Sequence, residues 1–134
     1  MRYTCRKMTS ADRMAAACFF SQAVGRQFPW NMLPLTGVAA VPENSDVPDV
    51  VLIVYFEQSC PVAVLGFCAF NPAASAKSKL DAAHAAMLYS IKYCREAGRT
   101  HLLSMFGERA LNRIADAIGF VSADNLVQEK YFKL

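Results

Sequence analysis

The residues of this chain that could carry chemistry are few and widely spaced. Two carboxylates stand where an element begins or ends. Glu57 lies near the end of the run Asp49–Gln58, and a carboxylate at a strand end can take a proton from a substrate. It is the leading candidate for a catalytic base, and its ordinary role would be a hydrated charge beside a turn. Glu108 opens a short helical segment, where its ordinary role is to face the positive end of the helix dipole. His84 lies among Leu80, Met87, Leu88, Ile91 and Cys94 at three- and four-residue spacing. That position reads as a core histidine held by one hydrogen bond rather than as an acid–base catalyst. His101 follows Thr100 at a strand start and is expected to be exposed, and Tyr89 and Tyr93 lie off the apolar stripe as rim residues.

Cys5, Cys18, Cys60, Cys68 and Cys94 are odd in number and none has Cys-x-x-Cys spacing, so neither a disulfide framework nor a zinc site is expected. With His84 and His101 as the only imidazoles, no metal is expected either. Cys18, Cys68 and Cys94 read as buried, inert thiols. A reducing, cytoplasmic compartment is the simplest setting.

The segment Ala74-Ser75-Ala76-Lys77-Ser78-Lys79 offers a different chemistry. It leads into the longest periodic stretch of the chain. A helix start leaves backbone N–H groups unpaired at the positive end of the dipole, which suits an anion. Ser75 and Ser78 could donate hydrogen bonds, and Lys77 and Lys79 could offset the charge of an anion. The same residues also read as an ordinary capped helix with a solvated end. Lysines there oppose the dipole unless an anion is present.

The elements that must position these groups follow from pattern. Arg2–Lys7 reads as an opening strand. Thr9-Ser10-Ala11-Asp12 reads as a helix start, with an apolar helix running to Gly25. Gln27–Pro48 is expected to be irregular, because Pro29, Pro34, Pro42 and Pro48 break any long element. Phe28 and Trp30 there belong to a packed loop or to a substrate-facing lip. Asp49–Gln58 and Val62–Phe70 form an antiparallel hairpin about Ser59-Cys60-Pro61, a connection too short for a crossover. Lys79–Ala97 is a helix ended by Gly98, Thr100–Phe106 a strand, Glu108–Ile118 a helix with Leu111, Ile114, Ala115 and Ile118 inward and Gly119 as cap, and Leu126–Phe132 a last strand. The class is α/β, in the order β-α-loop-β-β-α-β-α-β, with a mixed, mostly antiparallel sheet flanked by helices and one domain over residues 1–134.

Composition narrows the classes. Apolar residues are 54% of the 134, enough for a core, while charged residues are only 19%, which leaves room for a partner or oligomer contact. The net charge of +3 comes from scattered basic residues, so nucleic acid is not the expected partner, although Tyr55, Phe56, Phe67 and Phe70 could stack bases. No signal peptide is read at the N-terminus, and the run Val50–Phe56 is too short to span a bilayer as a helix, so no membrane is expected.

Arg6-Lys7-Met8-Thr9-Ser10-Ala11-Asp12 resembles the first strand and helix of the GNAT superfamily, the acetyl-CoA-dependent N-acetyltransferases, and Ala110–Phe120 resembles its closing helix before Gly-Phe. The Ser/Lys-rich entry to the long helix is similar to that of small bacteriophage-encoded members. The resemblance implies acetyl transfer from acetyl-CoA to an unknown amine. It implies pyrophosphate binding at Ser75, Ala76, Lys77, Ser78 and Lys79, and a cofactor arm along Phe67, Cys68 and Ala69, where Val64–Phe70 would splay from Leu102–Phe106. It also implies a carboxylate base, for which Glu57 is the candidate. The family's glycines at the long-helix start are absent, and Ala115 stands where the family commonly has an acid Tyr. The alternative is a catalytically silent interaction or structural protein of the same fold, phage-encoded or virion-associated.

Overall fold

In the computed structural model, which describes residues 2–121, the apolar run Val50–Phe56 (β3) is the middle of a five-stranded sheet. The other strands are Tyr3–Lys7 (β1), Gly37–Pro42 (β2), Val62–Phe70 (β4) and His101–Ser104 (β5), in the spatial order β1-β2-β3-β4-β5. β1 through β4 pair antiparallel, and β5 joins β4 in parallel. Helix α1 (Ser10–Val24) packs on one face, while α2 (Ala76–Glu96) and α3 (Arg109–Ile118) pack on the other.

β3 is apolar at nearly every position because both its faces are covered. Val50, Leu52 and Val54 join the core under α2, whereas Val51 and Ile53 join the core under α1. A strand buried on one face only would alternate.

β2 lies inside the segment expected to be irregular. Its Ala39 and Ala40 give little strand propensity, and Pro42 ends it. Pairing on both sides decides the matter, with Cys5 opposite Ala40 and Ala40 opposite Val50. The described residues therefore run β-α-β-β-β-α-β-α. The expected strand Leu126–Phe132 lies outside them.

The helix termini follow their sequence signals. Thr9 caps α1 through a reciprocal box: its hydroxyl accepts from the Asp12 N–H at 3.2 Å, and Asp12 Oδ2 accepts from the Thr9 N–H at 3.0 Å. Arg6 adds an ion pair to the buried Asp12 at 2.8 Å. Gly119 ends α3 at φ 118°, a left-handed conformation that suits glycine, and the Phe120 N–H reaches back to the Ala115 carbonyl at 3.0 Å.

The inward face of α2 differs from the stripe read in the sequence. Ala82, Ala83, Ala86, Met87, Ser90 and Cys94 are buried, whereas Leu80, Leu88 and His84 are exposed. Small residues let the helix lie close on the sheet, so the alanines face inward and the bulkier side chains face out. His84 is therefore not a core histidine. Cys18 is likewise exposed rather than buried, while Cys94 is buried and Cys68 partly so.

Candidate functional site

β4 is nine residues long and β5 only four, and the site arises from that mismatch. The parallel pairing covers Val62 to Leu65, opposite His101 to Ser104, and its last rung is the Met105 N–H to the Leu65 carbonyl at 3.3 Å. Beyond it β4 continues to Phe70, while the other chain turns away through Met105–Glu108 into α3. Asn112 Nδ2 donates to the Phe106 carbonyl at 3.0 Å and fixes this departing loop to the helix.

A bulge in β4 sharpens the parting. Leu52 opposes Cys68, but Val54 opposes Leu65, so Gly66 and Phe67 together face the single residue Ile53. The extra residue bends the strand and re-aims its side chains. Alternation also sets the backbone. The Asn71 N–H bonds to the Asp49 carbonyl on the β3 side, which turns the peptide groups of Phe70 and Cys68 toward the side from which β5 has departed.

The result is a groove of about 210 Å³ between β4 and the loop after β5. Gly66, Phe67 and Cys68 line it from β4, Met105, Phe106, Gly107 and Glu108 from the loop, and Phe20 from α1. Phe67 leans toward α1, edge-on to Phe20 at 5.8 Å, with Tyr55 at 6.4 Å on its other side. Cys68 and Phe106 pack toward the core under α2 and α3. The groove's lining therefore includes residues that pack on both faces of the sheet. Among the described residues, Glu108 is the only charged one in its lining. It stands at the N-cap position of α3, but its side chain makes no capping hydrogen bond. Burial pushes the Cys68 thiol far up, and the neighbouring Glu108 charge adds to the shift, so the thiol is protonated at neutral pH.

At the start of α2, Ser75 is the cap. Its hydroxyl accepts from the Ser78 N–H at 3.1 Å and donates to Ser78 Oγ at 2.9 Å. The N–H groups of Ala76 and Lys77, in the first turn, precede any helical carbonyl partner. Asn71 Oδ1 accepts from the Ala73 N–H at 3.0 Å and shapes the approach. The first turn is tied to the sheet by Tyr3, whose hydroxyl lies 3.0 Å from the Ser78 carbonyl and 2.9 Å from Asp49 Oδ2.

The residues singled out in the sequence are thus only partly brought together. Phe67 and Cys68 line the groove. The Ala69 side chain is buried in the core under α1. Ser75–Lys79 build the helix start past the end of β4 and are not part of the groove lining. Glu57 is not brought to the groove. It lies roughly 13 Å of extended strand away, where Oε1 accepts from the Gln58 and Ser59 N–H groups and from the Ser59 hydroxyl at 2.8 Å. Those bonds, led by the Ser59 hydroxyl, hold its pKa below the ordinary carboxylate value, the wrong direction for a base. Ala115 is buried beside Leu111. Tyr55 and Phe67 pack away from Phe56 and Phe70, so the four aromatics do not form one stacking platform. Sequence reasoning passed over Phe20, whose neighbour Phe19 takes the core position, and it ranked Glu108 behind Glu57 as a base, with the dipole role first.

The fold has counterparts among solved structures. A crystal structure of a probable acetyltransferase matches 100% of this chain and 97% of its own length, with a TM-score of 0.69 at 15% identity. The fold is acetyltransferase-like. No family model and no curated protein matches the sequence. In this acetyltransferase-like fold, no group of three or more metal-ligating side chains occurs among the described residues, and none of their helices is long and apolar enough to cross a membrane.

Proposed function

We propose that the chain is an N-acyltransferase that takes an acyl group from acetyl-CoA and delivers it to an amine in the groove between β4 and the loop after β5. The parting of β4 from β5 beyond Leu65 carries this reading, because it leaves strand backbone and a carboxylate facing one groove. Acyl-CoA supplies the activated thioester. The peptide groups of Cys68 and Phe70 can pair with its extended amide-bearing arm as a neighbouring strand would, along Cys68 and Ala69, which leaves the Phe67 ring to the acceptor. At the α2 start, the Ala76 and Lys77 N–H groups, the Ser75 and Ser78 hydroxyls and the Lys77 and Lys79 ammonium groups suit a pyrophosphate. The methyl groups of Ala74 and Ala76 are the smallest side chains that could stand where the family places glycine.

Transfer forms an N–C bond to the acyl carbon and breaks its C–S bond. The acceptor ammonium sheds two protons. One leaves through the Glu108 carboxylate to water, and the other ends on the departing sulfur by way of water. Cys68 is no nucleophile here, since its thiol stays protonated. In this reading the acyl group passes directly from the thioester to the amine.

Isothermal titration with acetyl-CoA and CoA tests the reading. Saturable binding of both is expected, and no heat of binding at millimolar concentration would overturn it. A catalytically silent interaction protein of this fold is the second reading. One observation favours it: Trp30, Met32 and Leu35 expose apolar side chains in a single short segment. A stable oligomer by light scattering, without turnover of acetyl-CoA, would support that alternative.

A further inference from the structure

The groove's walls say more about the acceptor than its backbone does. Phe20, Phe67, Met105 and Phe106 supply the large apolar side chains of walls whose remaining surface is polar, and among the described residues Glu108 is the one charged side chain there. On the α1 face the walls continue as a row of rings. Tyr55 to Phe67 is 6.4 Å between centroids, Phe67 to Phe20 is 5.8 Å, and Phe20 to Phe28 is 5.3 Å. Phe67 is 50% exposed and Tyr55 36%, so both keep open surface that the core does not use. Both also bear on the bulge. Phe67 is one of its two residues, and the Tyr55 ring lies against the other, Gly66. The exposed rings therefore stand at the point where β4 turns away from β5.

We infer that the acceptor is a primary amine with a single positive charge, carried on an apolar and preferably aromatic body. The body lies along Phe67 and Phe20, and the ammonium faces Glu108. This deepens the proposed acyl transfer and rests on it. The one carboxylate that the described residues bring to the groove matches one ammonium. A polyamine would leave its further charges against phenylalanine rings, an amino sugar would lose the hydration of its hydroxyls there, and an anionic acceptor would be repelled by Glu108. Aromatic faces also attract an ammonium, which reinforces the preference for cations over neutral isosteres.

The test has two arms on the full-length protein. In the first, N-acetyl product is measured by mass spectrometry with saturating acetyl-CoA and 2-phenylethylamine, hexylamine, spermidine or glucosamine as acceptor. The expected order puts 2-phenylethylamine first, with kcat/KM about tenfold above spermidine and glucosamine. Equal or better use of spermidine or glucosamine overturns the inference while leaving acyl transfer intact. The second arm needs no acetyl-CoA. Saturation-transfer NMR is recorded with 2-phenylethylamine and with the neutral isostere 2-phenylethanol. Binding of the amine several-fold tighter than the alcohol, weakened about tenfold by Phe67→Ala, supports the acceptor class even if acetyl-CoA fails to bind, in which case acyl transfer alone falls. Equal binding of amine and alcohol, no binding of the amine, or binding indifferent to Phe67→Ala overturns it. Circular dichroism of the variant separates loss of the wall from loss of the fold.

Discussion

Gly66 lies directly against the ring of Tyr55, so closely that a Cβ built on Gly66 would sit 2.3 Å from Tyr55 Cε2. A ring across the bulge thus requires a residue with no side chain beneath it. Gly37 meets a different obstacle, the backbone carbonyl of Leu52 at 2.8 Å. The two alanine variants should therefore behave differently. Gly37→Ala must move backbone in the buried centre of the sheet and is expected to cost about 2 kcal/mol. Gly66→Ala need only push a partly exposed ring aside, so its stability should stay near that of the parent while the KM for an aromatic amine rises. Urea denaturation and steady-state kinetics of both variants check the contrast. An equal loss of stability would contradict it.

Tyr3 joins three elements through one hydroxyl, with Asp49 of the β3 approach on one side and the Ser78 carbonyl of α2 on the other. Its single proton serves one acceptor at a time. Removing it in Tyr3→Phe leaves the buried Asp49 short of a donor, at an expected cost of about 1–2 kcal/mol. Burial first, and then the Asp49 carboxylate, raise the Tyr3 pKa above its ordinary 10.0. A raised pKa means that the stabilisation is complete below the unfolded value and is lost as pH rises through the folded one. The wild type should therefore lose stability above pH 10 more steeply than Tyr3→Phe. Parallel pH profiles would remove Tyr3 from the account.

Glu108 and Glu57 make opposite predictions. Glu108→Gln keeps the shape of the groove but removes its charge and its capacity to take a proton. The expected fall in kcat is about 100-fold. Glu57→Gln loosens a hairpin turn far from the groove and should leave turnover unchanged. Single-turnover rates with an amine acceptor decide between them, and a large effect confined to Glu57 would move the base to the hairpin.

Iodoacetamide should distinguish the thiols. Cys18 and Cys60 are exposed, whereas burial and the Glu108 charge hold Cys68 protonated. Intact-mass analysis is expected to show Cys18 and Cys60 modified first and Cys68 protected. Cys68→Ala should retain acyl transfer. An acyl adduct on Cys68 in the presence of acetyl-CoA would replace direct transfer with a two-step route.

The local features of the fold could be read from neighbouring residues alone. Thr9 and Asp12 cap α1 three residues apart, Ser75 caps α2, and Gly119-Phe120 closes α3, because each cap satisfies backbone groups within one turn of itself. The β3–β4 hairpin was legible for the same reason: its strands are joined by a short turn, and β3 is apolar throughout. The remaining features depend on contacts between distant segments. β2 is a strand because β1 and β3 flank it, not because Gly37-Val38-Ala39-Ala40 favours extension. The inward face of α2 is set by how closely a helix can approach a sheet, so alanine outranks leucine there. The groove was foreseen only through the resemblance, which splays Val64–Phe70 from Leu102–Phe106; no residue pattern in the chain marks it. It exists because β4 outlasts β5 and bulges at Gly66-Phe67, which carries Glu108 and Phe20 to one gap and leaves Glu57 at the other end of the strand. Pairing length and register are properties of two strands together, and neither strand's own residues state where its partner will leave it.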